Sequence, residues 1–92
     1  MHNNVVLALS WSDYEARKIA ENSDVHIFCP ERPWELNYLI RKLRQQFGQY
    51  TETAIFLTIR NTARLLPAPR QRAVFVDYVI QNLLQRQPCQ LN

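Results

Sequence analysis

The chain has 92 residues, of which 47% are hydrophobic and 11% aromatic, and it carries a net charge of +3. This length suits one domain and this composition excludes an intrinsically disordered chain, so we expect residues 1–92 to form a single domain. The single glycine, Gly48, excludes glycine-rich phosphate-binding loops, and no apolar run reaches the roughly 18–20 residues of a transmembrane helix. The N-terminus lacks the pattern of a signal peptide, and the two cysteines, Cys29 and Cys89, are expected as free thiols, so the sequence predicts a cytoplasmic protein without a membrane partner.

The first predicted elements are a strand and a helix. Residues 5–9 form a short apolar run that is typical of a buried strand. Ser12 and Glu15 have the spacing of a capping box, in which the serine accepts from the backbone N–H of the glutamate and the glutamate reaches back. A helix over about residues 13–22 should follow. Its expected apolar face consists of Ala16, Ile19 and Ala20.

A second strand and a long helix come next. Residues 25–29 are predicted as a strand that stops at Pro30. Pro33 suits the first turn of a helix, where its missing N–H costs nothing. Gly48 is well placed as the C-terminal cap. The helix between them should bury one apolar stripe, made of Leu36, Leu39, Ile40, Leu43 and Phe47.

Residues 53–59 permit two interpretations. Their β-branched and aromatic side chains favour a strand, but the spacing of the apolar residues also fits a helix that continues to Leu66. We take the strand as the prediction and the helix as the alternative. Pro67 and Pro69 then interrupt the chain, and a last helix is predicted over about residues 70–87, where apolar side chains again recur at helical spacing.

In chain order the elements are therefore β-α-β-α-(β)-α. This alternation predicts a small mixed α/β fold, with a short two- or three-stranded sheet covered by three helices. If residues 53–59 are helical, the C-terminal half becomes a three-helix cluster against a two-stranded ribbon.

Catalytic and metal-binding patterns are weak in this sequence. His26 and Cys29 form a lone H-x-x-C pair, and on a strand they would point to opposite faces. No nucleophile elbow, phosphate-binding loop or dinucleotide fingerprint occurs. We therefore expect no enzyme, no cofactor, no metal and no small-molecule substrate.

The charge is unevenly distributed along the chain. Residues 1–40 hold three cations and six carboxylates, a net −3, whereas residues 41–92 hold eight cations and two carboxylates, a net +6. Arginine is the side chain best suited to bidentate contact with phosphate or carboxylate. We therefore predict an accessory or regulatory protein that acts on nucleic acid, or on a protein complex that processes it. The predicted binding residues are Arg60, Arg64, Arg70 and Arg72, with Arg41, Lys42 and Arg44. The alternative is that these cations form solvated helix faces and pair with the acidic half.

A second hypothesis rests on the apolar segment 73–80, which is more hydrophobic than one face of a small domain requires. In this alternative the protein is an inhibitor or adaptor that docks on a larger enzyme, or a homodimer. The predicted contact residues are Phe75, Tyr78 and Trp34. If the segment is instead buried on two sides, Phe75 and Tyr78 belong to the core.

Overall fold

Helices account for most of residues 10–85, the part of the chain that a computed structural model describes. There are four in this part: α1 (Ser12–Ala20), α2 (Pro33–Gln46), α3 (Glu52–Leu65) and α4 (Arg72–Gln85). None of them is long and apolar enough to cross a membrane. The predicted mixed α/β fold is therefore wrong, because residues 10–85 form a small all-helical fold without a sheet. The first predicted strand, residues 5–9, lies outside the described residues.

The predicted strand at residues 25–29 does not form, because it begins in a turn closed by the Ile27 N–H and the Asp24 carbonyl at 3.2 Å. The segment makes only an isolated antiparallel bridge, between Ile27 and Gln71. The Phe28 N–H donates to the Arg70 carbonyl at 2.9 Å, and the Arg72 N–H donates to the His26 carbonyl at 2.7 Å. Pairing goes no further because α4 begins at Arg72, directly after the bridge. Two short segments in contact over so few residues cannot form a sheet.

The ambiguous segment 53–59 belongs to α3, so the alternative interpretation is correct. Thr51 caps this helix by accepting from the Ala54 N–H at 3.0 Å. Inside the helix, the hydroxyls of Thr58 and Thr62 each donate to the carbonyl four residues earlier, at 2.8 Å. The β-branched side chains that suggest a strand therefore satisfy their polar groups within the helix, and tertiary packing decides the conformation.

The first helix buries a different face from the one predicted. Tyr14 and Lys18 are buried, whereas Ile19 is 65% exposed and both alanines, Ala16 and Ala20, are exposed. The predicted capping box is also wrong. The helix begins at Ser12 without a side-chain cap, the Glu15 N–H donates to the Trp11 carbonyl, and the Glu15 carboxylate pairs with a distant arginine.

The second helix confirms its prediction. Pro33 occupies its first turn. Leu39 and Leu43 are fully buried, and the other members of the stripe are partly buried and pack against the core. Gly48 does not cap the helix in a left-handed conformation, since the helix ends at Gln46 with Phe47 as its capping residue, and the φ angle of the glycine is not positive.

Aromatic rings and aliphatic side chains share one core. Tyr14 contacts the rings of Trp11, Phe28 and Tyr38, with centroids 5.1–6.2 Å apart. Phe28 in turn stacks on Phe75 of α4 at 5.3 Å, which joins the α1–α2 side of the molecule to the C-terminal helix. The aliphatic part of the core comes mainly from α3 and α4: Ile55, Ile59, Val76, Val79, Ile80 and Leu83.

An ion pair lies inside this core. The Lys18 ammonium is 2.9 Å from a Glu35 carboxylate oxygen, and the two side chains are 1% and 0% exposed. The same carboxylate accepts from the Tyr14 hydroxyl at 2.7 Å and from the Cys29 N–H at 3.0 Å, and Arg32 lies 3.3 Å from it. Every polar atom of this pair thus has a partner, as a buried charge requires. The pair fixes the position of α1 on α2.

Candidate functional site

Three of the predicted arginines line one groove beside α3. Arg60, Arg64 and Arg70 surround a concave space of about 420 Å³, and Glu31 is the single carboxylate among the described residues of its lining. The remaining lining is apolar and consists of Pro30, Leu36, Phe56, Ile59 and Ala63. We call this set of residues the basic groove. It combines an apolar floor with three cations against one carboxylate.

Two of the groove arginines have no anionic partner in residues 10–85. Arg60 and Arg64 are exposed and lie one turn apart on the same face of α3. Neither forms an ion pair there, and the nearest ring to the Arg60 guanidinium is Phe56, with the centroid 5.6 Å away. These two cations can therefore bind an external anion without breaking an ion pair within the described fold.

Arg70 plays a mainly structural part at the edge of the basic groove. Its side chain is only 10% exposed. Its guanidinium donates to the carbonyls of Leu66 at 2.7 Å and Ala63 at 3.0 Å, which satisfies the C-terminal end of α3. It also pairs with Glu31 at 3.0 Å. Arg70 thus supports the wall of the groove. Because most of its N–H groups already have acceptors, few remain to bind a ligand.

Arg72 does not line the basic groove. Its side chain is 15% exposed and pairs with Glu15 at 3.0 Å. The guanidinium also lies over the Trp11 and Tyr14 rings, 4.9 and 5.4 Å from their centroids. For Arg70 and Arg72, the structure therefore agrees with the alternative in which cations of the basic half pair with carboxylates of the acidic half.

The predicted cations of α2 form a separate surface. Arg41 and Lys42 lie over the Tyr38 ring, at 5.7 and 5.3 Å, and Lys42 donates to the Ser10 carbonyl at 2.6 Å. Arg44 is 3.8 Å from the exposed carboxylate of Glu52. None of the three lines the basic groove. The sequence prediction thus assigned to one binding surface two sets of cations, those of the basic groove and those of α2, that lie apart in the structure.

Tyr38 and Asp13 are hydrogen-bonded beside this second surface. The Tyr38 hydroxyl is the main cause that lowers the pKa of the Asp13 carboxyl below its ordinary value. Conversely, burial and then the Asp13 carboxylate raise the pKa of Tyr38. The pair remains a neutral phenol and a carboxylate over a wide pH range.

The three predicted partner-binding residues have different environments. Phe75 is fully buried, so it contributes to the core, whereas Tyr78 is 45% exposed. Trp34 is partly buried against Tyr14 at 5.3 Å, beneath the Arg17 guanidinium at 4.4 Å. Its indole N–H is buried without a hydrogen-bond acceptor in the described part of the chain.

Sequence reasoning missed the apolar side of the basic groove. Phe56 is half-buried and follows the same helical row as Arg60 and Arg64. On a helix, residues four apart are neighbours on one face, so Phe56, Arg60 and Arg64 lie in a row. If residues 53–59 are read as a strand, Phe56 and Arg60 are on one face but are not neighbours, and the row is not recognised. Leu36 enters the groove from α2, and no local pattern predicts that approach.

Within residues 10–85, no group of three or more His, Cys, Asp or Glu side chains is close enough together to hold a metal ion. Cys29 is a half-buried free thiol and His26 is exposed. Cys89, the other cysteine, lies outside the described residues.

Comparisons with known proteins find no matching family model, no matching curated protein and no matching solved structure.

Proposed function

We propose that this protein is a non-catalytic, cytoplasmic accessory or regulatory protein that binds nucleic acid, alone or within an assembly that processes it, through the basic groove. The observation that carries the proposal is the pair of unpartnered arginines, Arg60 and Arg64, beside a concave surface with a net positive lining. Arginine side chains one helical turn apart can bind adjacent phosphates. No acidic side chain of α3 follows Glu52, and the Glu31 carboxylate in the groove lining is paired with Arg70, so repulsion of a polyanion is small.

The structure of the groove separates two kinds of arginine that the sequence treats alike. Arg60 and Arg64 are exposed and supply charge for phosphate contact, and Arg70 supports the groove wall through carbonyl and carboxylate contacts. We therefore assign the phosphate contacts to Arg60 and Arg64.

The test is a fluorescence anisotropy titration of the full chain with labelled DNA and RNA at two or more salt concentrations. Replacing Arg60 and Arg64 together with glutamine should weaken binding and lower the salt slope by roughly one unit for every phosphate that is no longer neutralised. The matched control compares single variants: Arg17→Gln removes one exposed cation of α1 outside the groove, and Arg64→Gln removes one within it. If both variants change the slope equally, net charge and not the basic groove accounts for binding.

A second candidate function is protein docking through α4, as an inhibitor or adaptor or in a homodimer. Val74 and Tyr78 lie one turn apart on α4 and are each 45% exposed. An exposed apolar pair of this kind is a common part of a partner surface. Tyr78→Ala should abolish capture of a protein partner, or dissociate a dimer in sedimentation, while leaving nucleic-acid affinity unchanged. The reverse result would assign Tyr78 to the nucleic-acid surface.

A further inference from the structure

We infer that the basic groove binds single-stranded nucleic acid in preference to a duplex, with a base placed against Phe56. The inference rests on the proposed function and specifies the form of nucleic acid that the same site recognises. It follows from the two chemically different surfaces that the groove brings together, the apolar floor and the arginine rim.

The arginine rim by itself does not distinguish the two forms of nucleic acid. Phosphates are exposed on single strands and on duplexes, and Arg60 and Arg64 can contact either. The faces of the bases are different, because a duplex stacks them against one another and a single strand exposes them. Only a single strand can therefore cover the apolar floor as well as the rim.

Phe56 is the side chain that can recognise an exposed base. It is half-buried, so its ring is held by the fold and retains an accessible part in the groove lining. The Arg60 guanidinium lies 5.6 Å from the ring centroid, near the outer limit of about 6 Å for a cation–π contact. A base can therefore stack on the ring while Arg60 moves to the adjacent phosphate. The volume of about 420 Å³ falls within the roughly 300–1,000 Å³ of pockets that hold small organic groups.

The experiment uses the full chain and three probes: a labelled single-stranded oligonucleotide, the same strand annealed to its complement, and inorganic polyphosphate as a competitor without bases. The wild type should bind the single strand roughly 5- to 150-fold more tightly than the duplex, the range expected when one base stacks on one aromatic ring. Polyphosphate should compete more effectively with the duplex than with the single strand.

Phe56→Leu keeps an apolar side chain in the groove and removes the aromatic face. This variant should lose the preference for the single strand, while the duplex affinity and the salt slope stay unchanged. Phe56→Tyr keeps the ring and should keep the preference, so loss of fold and loss of stacking can be separated. Tyr78→Leu removes an exposed aromatic ring outside the groove and should have no effect on either affinity.

Equal affinity for both forms, with a salt slope that depends on Arg60 and Arg64, would overturn this inference and leave the proposed function intact. Binding to neither form would overturn both. If the groove variants then abolished capture of an acidic protein, the basic groove would be a protein-docking site.

Discussion

Lys18 and Glu35 form an ion pair in which both side chains are buried, and no pattern in the sequence predicts this burial. A buried ion pair is costly to desolvate, and it persists here because further groups complete its hydrogen bonds: the Ile27 carbonyl, the Tyr14 hydroxyl and the Cys29 N–H. The pair therefore contributes to the geometry of α1 on α2 more than to net stability. Removing one member should be far more damaging than removing both.

We expect Glu35→Gln to lower the free energy of unfolding by about 3–5 kcal/mol, the usual result of leaving one member of a buried pair uncompensated. Every group around the Glu35 carboxylate is a hydrogen-bond donor. The NH₂ group of a glutamine there would also be a donor and would find no acceptor among them. Urea denaturation measures the loss. Glu31→Gln is the control, since Glu31 is also ion-paired but 67% exposed, and such pairs contribute only about 0–1 kcal/mol. Lys18→Met combined with Glu35→Leu should cost less than Glu35→Gln alone, and a larger cost would contradict this account.

Tyr38 and Tyr14 make the fold sensitive to alkaline pH. Burial, and then hydrogen bonds to Asp13 and Glu35 respectively, raise the pKa of both phenols in the folded protein. A group with a raised folded pKa stabilises the fold fully below its unfolded pKa, about 10 for tyrosine, and loses that contribution as pH rises further. The free energy of unfolding should therefore fall above about pH 10, and Tyr38→Phe should reduce the steepness of the fall. An identical pH dependence in the variant and the wild type would disprove the assignment.

At the scale of single helices, capping distinguishes α1 from α3. The sequence suggests a side-chain cap at Ser12 and no conspicuous one at Thr51. In the structure Thr51 caps α3, and α1 has no side-chain cap. Within the described residues the Ser12 hydroxyl hydrogen-bonds only to the exposed Ser10 side chain, whereas the Thr51 hydroxyl accepts from the Ala54 N–H. The sequence does contain a weak indication of the Thr51 cap, because a threonine followed directly by an acidic residue, here Glu52, is typical of a helix N-terminus.

Thr51→Ala should therefore lower the free energy of unfolding by about 1 kcal/mol. Ser12→Ala should change it by no more than about 0.5 kcal/mol, as for an ordinary surface position. Thr53→Ala is the matched control within α3, because the side chain of this exposed threonine makes no hydrogen bond within residues 10–85. Chemical denaturation of the three variants in parallel tests the assignment, and a greater loss for Ser12→Ala than for Thr51→Ala would restore the capping box.

For the whole molecule, two arginines of the basic half, Arg70 and Arg72, connect distant parts of the chain. Arg70 joins the end of α3 to Glu31, and Arg72 joins the start of α4 to Glu15. Both lie beside the bridge between residues 27 and 71. Arg70 holds α3 against the segment that leads into α2, and Arg72 holds α4 against α1. Their removal should therefore affect the fold, unlike removal of an exposed cation.

We expect Arg70→Gln and Arg72→Gln each to lower the free energy of unfolding by about 1–3 kcal/mol, the usual range for removing a charged hydrogen bond from a largely buried site. Arg64→Gln removes an exposed arginine of the basic groove and should change the free energy of unfolding by no more than about 0.5 kcal/mol. Thermal unfolding followed by circular dichroism would compare the three. Equal stability in all of them would mean that the hydrogen bonds of Arg70 and Arg72 contribute no more to stability than an exposed arginine side chain does.

The sequence by itself determined α2 and most of α4. Each has a regular apolar row, and burial of one helical face produces that row directly, as Leu39 and Leu43 show in α2 and Val76 and Val79 in α4. It also indicated where arginine is concentrated, including Arg60 and Arg64.

Tertiary structure alone decided three other matters. Residues 53–59 became helical because their neighbours in space are helices and no strand is available in residues 10–85 to pair with them. Lys18 was buried in α1, in preference to Ile19, because Glu35 lies across the interface to neutralise it. Arg70 is buried against the end of α3 and Arg72 against the rings of α1 and the residue before it. Each pairs there with a carboxylate that is distant in the chain, Glu31 or Glu15. Local composition cannot predict these outcomes, since each depends on a charge or a packing partner that only the folded chain brings near.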